Sequence, residues 1–320
     1  MAKRRMKVTE ESNYITLQDA INDFLEEKEL QNCVDKTISN YQYALDKFVK
    51  YFEFDDEFKV KDLTQGNINQ YKNHLLKEDI SFQSVNGYLR HLRTFCYWCE
   101  KQGYLEEHFE MKDVKGQETK IKYYTEEEME ALLEKPVGNN NYGAWRMWAV
   151  VSFIYATGAR AQSVCDVKME DVDFFKKEIT FTHQKNKSLL ILPLSEALER
   201  TLKEYIRKCN LMNEEYLFPS ISGDKLNPHT LNTAIRNYCK SRGVPMHGIH
   251  AIRHSFASQY IRNGGNPMKL QKILNHSTLK MTTKYITLFG QDLKVDYSDF
   301  SPLDTATRKK SRTKKVGRLD

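Results

Sequence analysis

The sequence predicts a mostly α-helical protein with one small β-sheet or hairpin, built as two domains. Three observations carry this. Apolar residues recur at helical spacing along most of the chain. Only the stretch from Asp171 to Leu194 has the alternating and continuous apolar runs that suit strands. A polar segment without apolar periodicity, residues 111–122, divides 320 residues whose 40% apolar content is enough for two cores.

Residues 1–13 form a basic start expected to be flexible. Thr16 can then cap a helix that places Leu17, Ile21, Phe24 and Leu25 on one face. Asp35 or Thr37 can open a second, carrying Ile38, Tyr41, Leu45, Phe48, Val49 and Phe52. Thr64 opens a third with Ile68, Tyr71, Leu75 and Leu76; Ser84 starts a fourth with Val85, Tyr88, Leu89, Leu92, Phe95 and Cys96. Four amphipathic helices on short polar loops make a small bundle over residues 14–110. The fourth carries Arg90, His91 and Arg93 on its polar side. Such cations are ordinarily just solvated; the alternative is contact with phosphates.

Beyond the linker, Thr125 with Glu128 three residues on reads as a capping box, with Met129, Leu132 and Leu133 behind it. Trp145 through Ala156 is a strongly apolar helix stopped at Thr157-Gly158, and Arg160 follows. Glu178 to Thr182 alternates, Leu189 to Leu192 is apolar, and His183 to Ser188 between them is a polar turn holding Lys185 and Lys187. Helices are expected over Ala197–Cys209 and Thr230–Lys240. After Tyr285, apolar residues such as Leu288, Phe289 and Leu293 need a partner surface, and residues 301–320 form a basic tail.

The formal charge of +6 permits a polyanionic partner without requiring one. No apolar run approaches the ~18 residues of a membrane span, and no apolar signal region follows the basic start. The six cysteines are scattered. Cys96 and Cys99 lie in an aromatic helical run with no second pair at zinc spacing, so they read as buried thiols. The expectation is a soluble, cytoplasmic protein.

The chemistry-bearing residues cluster late. The chain reads His250-Ala251-Ile252-Arg253-His254, then Leu274-Asn275-His276-Ser277, then Thr282-Thr283-Lys284-Tyr285. Arginine offers a planar fork of donors that fits two phosphate oxygens and is always charged. Histidine donates hydrogen bonds and moves protons near neutral pH. His250 and Arg253, three apart, share a helix face. His254 points elsewhere on the helix and is assigned a structural role. Singly, each of these residues has an ordinary structural reading.

As a set, they resemble the tyrosine recombinase (phage integrase) family. That family carries His-x-x-Arg, then Leu-Gly-His, then a nucleophilic tyrosine nine residues after that histidine, the interval from His276 to Tyr285. Asn275 stands in place of the glycine and tolerates the left-handed backbone a glycine would serve. Thr157-Gly158-Ala159-Arg160 matches the family's Thr-Gly-x-Arg, although Ser163 replaces the glutamate usual three residues on. Pro193-Leu194 matches a Pro-Leu after the hairpin, which puts Lys185 at the family's hairpin lysine, with Lys187 as fallback. Leu217-Phe218-Pro219 is similar to the family's Leu-Phe-Pro.

The resemblance implies an N-terminal four-helix core-binding (SAM-like) domain and a mixed α/β tyrosine-recombinase catalytic domain over residues 123–300. It implies a bacterial site-specific recombinase that joins Tyr285 to a DNA 3′ phosphate, with Arg160 and Arg253 on the non-bridging oxygens. His276 would donate to the phosphate, His250 accept the phenol proton or orient the tyrosine, and Lys185 protonate the leaving 5′ oxygen. Arg90 and Arg93 become DNA-binding candidates. No metal or other cofactor is implied. The partners implied are double-stranded DNA at specific sites and a homotetramer in the synaptic complex; an accessory directionality factor is a further candidate. The short stretch before the bundle carries the expectation that the arm-binding domain of some integrases is missing. Use in integration and excision of a mobile element is the favoured role. The alternatives are a type IB topoisomerase and a DNA-binding protein whose catalysis has lapsed.

Overall fold

The computed structural model describes residues 15–116, 121–138, 141–182, 189–276 and 278–289. It divides into two compact units, Met1–Thr119 and Lys120–Asp320. Among the described residues no helix is long and apolar enough to cross a membrane.

The first unit is helical: α1 (Leu17–Leu30), α2 (Asp35–Phe52), α3 (Gln65–Lys77) and α4 (Phe82–Gln102). Its caps are local and readable. Thr16 accepts from the Asp19 N–H, and Thr64 forms a capping box with Asn67. The start of α4 lies earlier than expected. Ser81, not Ser84, is the cap, because its Oγ accepts the Ser84 N–H at 3.1 Å. The apolar period begins only at Val85, one turn inside the helix. The core is aromatic: Phe24 meets Tyr41, Phe95 and Trp98 edge-on at centroid distances of 5.2, 5.5 and 5.6 Å.

The chain after α4 stays tied to this unit. Met111 is buried in its core. The Asn86 side chain accepts from Val114 N at 2.7 Å and donates to Val114 O at 3.0 Å. Arg93 donates to Asp113 Oδ1 at 2.8 Å and to the Met111 carbonyl, while Arg90 is exposed. These polar ties leave no apolar period in the sequence.

The second unit is mixed. It runs α5 (Glu126–Leu133), α6 (Tyr142–Thr157), α7 (Ala161–Asp166), strands β1 (Val172–Asp173), β2 (Glu178–Phe181) and β3 (Leu190–Pro193), then α8 (Glu196–Cys209) and α9 (Pro228–Ser241). It ends with α10 (Ile249–Arg262), α11 (Pro267–Ile273) and α12 (Leu279–Phe289). The sheet is antiparallel in the order β1-β2-β3, with Ile179 opposite Leu192 and Phe181 opposite Leu190. The turn bearing Lys185 and Lys187 lies outside the described residues.

Helix α6 is the axis of this unit. It is apolar on most of its surface, which suits a helix enclosed by others, and its one charge, Arg146, donates to the Pro219 carbonyl. Trp145, Trp148, Val150, Val151, Phe153 and Ile154 are all buried, and α5, α8, α9 and α10 pack around it. Full burial is worth roughly 1.5–3 kcal/mol for each large apolar side chain, so a charge in place of any of these six would be costly. The Thr125–Glu128 capping box forms as the sequence suggests. Ser255 Oγ, on α10, accepts from Tyr124 N at 2.8 Å and donates to Tyr124 O at 3.1 Å.

Candidate active site

The site begins where α6 stops. Gly158 has φ +65°, and a Cβ placed on it would stand 2.7 Å from side-chain carbons of both Leu274 and Phe256. Glycine is therefore required twice, by backbone conformation and by space. The turn that follows sets Arg160 at the N-terminal boundary of α7 and leaves the Gly158 carbonyl facing α10.

Arg253 takes that carbonyl. It stands on α10, 7% exposed, and donates through Nη1 to Gly158 O at 2.5 Å and through Nη2 to Leu274 O at 2.7 Å. Arg160 Nη2 donates to the next carbonyl, Asn275 O, at 2.9 Å. Two guanidinium groups from distant parts of the chain thus hold consecutive peptide groups. Burial and then repulsion from Arg160 push Arg253 down to about 10, still charged at neutral pH. No carboxylate faces Arg253 among the described residues. A buried cation without a counter-ion is an anion receptor, and its unused N–H groups are the donors.

The segment after α11 is set by its helix end. Asn275 has φ +46°, the Asn275 N–H donates to Lys272 O and the His276 N–H reaches back to Gln271 O at 3.1 Å. This is a Schellman closure, with asparagine in the left-handed position. It delivers His276 beside the arginines. His276 Nδ1 lies 2.9 Å from Thr282 Oγ1, and Thr282 is fully buried. Burial, then the charges of Arg253 and Arg160, push His276 down to about 4, so its imidazole is neutral.

Tyr285, on α12, is 3% exposed and packs with Ala257, Ile261, Leu270 and Leu274. Burial raises its phenol above the usual range, while the charge of Arg253 acts to lower it. The atom that meets its hydroxyl belongs to His254: Nδ1 lies 2.6 Å from Oη. The sequence pattern assigns His254 only a structural role and His250 the task of accepting the phenol proton or orienting the tyrosine; the contact to the hydroxyl is made by His254 because it faces α12. His250 is exposed; partial enclosure of its ring, then Arg253 and Arg160, hold it below the ordinary histidine value.

Arg160, Arg253, His276 and Tyr285 thus converge on one end of α10. Arg90 and Arg93 belong to the first unit. A phosphate-sized anion with a phenol beside it is what such a set can accommodate.

Two family models match the chain. One, described as the phage integrase family, matches residues 122–291; the other, its N-terminal SAM-like domain, matches residues 21–106. The chain belongs to the phage integrase family. It is a tyrosine site-specific recombinase. A tyrosine recombinase of Pseudothermotoga lettingae is 26% identical over 264 residues, 81% of this chain and 89% of that one. A solved lambda integrase tetramer bound to a Holliday junction superposes with a TM-score of 0.71 at 15% identity, over 91% of this chain and 84% of that one. The Tn1549 transposon integrase in complex with a circular intermediate DNA gives 0.69 at 17% identity, over 85% of this chain and 95% of that one. These two likenesses concern the fold. The mostly helical architecture with its SAM-like unit is that of the family.

Proposed function

We propose that Tyr285 of this recombinase attacks a DNA phosphodiester and carries the 3′ phosphate while strands are exchanged. The observation behind this is Arg253, buried without a carboxylate, held beside Arg160 and within range to act on a tyrosine. An anionic phosphodiester resists attack by an electron-rich oxygen. Two guanidinium groups offset the charge on the non-bridging oxygens, most strongly in the pentacoordinate state where that charge grows. Loss of one such donor typically costs about 2.7–4 kcal/mol of barrier.

Oη forms a bond to phosphorus and the bond from phosphorus to the 5′ oxygen breaks. The phenol proton passes to His250, and the leaving oxygen takes a proton from Lys185, or from Lys187 if that lysine is the one that reaches. His276 donates through Nε2 when Nδ1 accepts the Thr282 hydroxyl. The phosphotyrosyl link keeps the bond energy, so a second 5′ hydroxyl reverses the steps and rejoins the strands.

In this reading residues 14–110 bind the core of a specific recombination site, with Arg90 on a phosphate, and residues 123–300 carry the chemistry. Arg93, paired with Asp113, serves the DNA less directly. Two exchanges on two duplexes need four active sites, hence a homotetramer on DNA; the lambda integrase neighbour, a tetramer on a Holliday junction, supports this. Integration and excision of a mobile element in the bacterial cytoplasm is the role we favour, supported by the transposon integrase neighbour. An accessory directionality factor is a candidate partner.

The test is a nicked suicide duplex taken from the junctions beside the gene. A covalent adduct that vanishes in Tyr285→Phe, with exchange between two defined sites, is the expected result. Relaxation of any supercoiled DNA without exchange would move the reading to a topoisomerase. An adduct that survives in Tyr285→Phe would overturn it.

A further inference from the structure

Tyr285 has its ring set by apolar packing against Ala257, Ile261, Leu270 and Leu274. Packing fixes the plane of a phenol but not the direction of its O–H bond. That direction is decided by a hydrogen-bond partner, and the partner is His254 Nδ1 at 2.6 Å, with ring centroids 5.8 Å apart and planes at 43°. His254 follows Arg253 on α10, and α12 packs along α10, so one helix supplies both the cation and the nitrogen.

A tyrosine hydroxyl has one hydrogen and two lone pairs. If the hydrogen points into His254, the lone pairs are turned away from it and are open to an electrophile. For this, His254 must be a neutral acceptor at Nδ1. Its surroundings favour that state: burial comes first, then the repulsion of His250, Arg253 and Lys284, which together push it down to about 4.

We propose that His254 is a positioning residue for the nucleophile, accepting the phenolic hydrogen of Tyr285 at Nδ1 and so aiming the oxygen lone pairs at a phosphate held by Arg160 and Arg253. The inference rests on the reading of Tyr285 as nucleophile and adds to it the group that orients the attack. The role is distinct from that of His250: His254 sets the direction of the O–H before attack, and as the Oη–phosphorus bond forms the proton leaves that hydrogen bond for His250, because a ring nitrogen held at about 4 is a poor final acceptor. A structural role for the same nitrogen would lower the melting temperature and leave the cleavage rate of the folded protein intact, whereas a positioning role lowers the rate. Asparagine puts an amide atom where Nδ1 stands, whereas glutamine reaches the place of Nε2.

The experiment measures first-turnover cleavage of the nicked duplex on which the unaltered full-length protein forms its adduct, with DNA affinity and thermal melting followed in parallel. His254→Ala is expected to lower the rate at saturating DNA at least tenfold with affinity unchanged. His254→Asn is expected to recover most of that loss, and His254→Gln little of it. Wild-type rates in His254→Ala overturn the proposal, as does recovery by glutamine equal to that by asparagine. If the alanine variant does not fold, the asparagine and glutamine pair decides. A second readout needs no DNA. In ¹⁵N-histidine spectra Tyr285→Phe should shift the His254 Nδ1 resonance, and an unmoved resonance counts against the bond. An adduct persisting in Tyr285→Phe instead removes the nucleophile reading beneath the proposal, so the two failures are told apart.

Discussion

Replacing Gly158 with alanine strikes the joint on which the arginine pair is built. The residue sits at φ +65°, and left-handed backbone costs a non-glycine residue about 1–2 kcal/mol. The new methyl would lie 2.7 Å from Leu274 Cδ2 and from Phe256 Cδ1. Relief of such overpacking typically adds about 1–3 kcal/mol. The sum is roughly 2–5 kcal/mol of unfolding free energy for this unit. Gly243 is the internal control: it has φ +67° with nothing within 4 Å, so alanine there should cost only the backbone part. Urea unfolding of both variants measures the difference, which isolates the clash. Because Gly158 O and Leu274 O both hold Arg253, the same shift should slow single-turnover cleavage tenfold or more under conditions where the protein is still folded. Equal stability of the two variants, together with unchanged cleavage by Gly158→Ala, would refute the role given to this close approach.

Arg253→Lys keeps the charge but cannot span Gly158 O and Leu274 O with one planar fork; cleavage is expected to drop about a hundredfold, some 2.7 kcal/mol, with DNA binding retained in a mobility-shift assay. His254 and His276 both have folded values depressed to about 4 from 6.5, so between those values the unfolded chain binds more protons. Their stabilising contribution is therefore complete above pH 6.5 and is lost as pH falls toward 4, with a slope of at most about 1.4 kcal/mol per pH unit for each histidine. Urea midpoints measured from pH 7 to 4.5 should fall more steeply for the wild type than for His276→Asn, and equal slopes would count against the depressed value. At Asn275, φ +46° makes glycine acceptable and a β-branched residue not. Asn275→Gly should retain adduct formation, whereas Asn275→Val should lose about 1–2 kcal/mol in stability and most of its cleavage.

Much of this protein is legible before any fold is drawn. The period of Ile21, Phe24 and Leu25, the capping box at Thr125, and the strongly apolar run of α6 are local signals with local causes. The site motifs are similarly plain once taken as an ordered set. What failed did so for particular reasons. The start of α4 was displaced because Ser81 and Ser84 are equivalent as caps until the backbone chooses between them. The ties of Asn86 and Arg93 to residues 111–114 are polar contacts across 18 to 28 positions, and these have no period to detect.

The amino-acid order by itself determined which residue types were available: two arginines, a histidine after a left-handed turn, and a tyrosine nine positions beyond it. It also determined the helices that carry them, since helical period and capping depend on neighbours a few residues apart. Only the tertiary structure decided that Arg160 and Arg253 grip adjacent carbonyls and that Tyr285 meets His254 rather than another imidazole. The reason is geometric. Positions 254 and 285 lie 31 residues apart on different helices, and their meeting depends on the packing and rotational phase of α12 against α10.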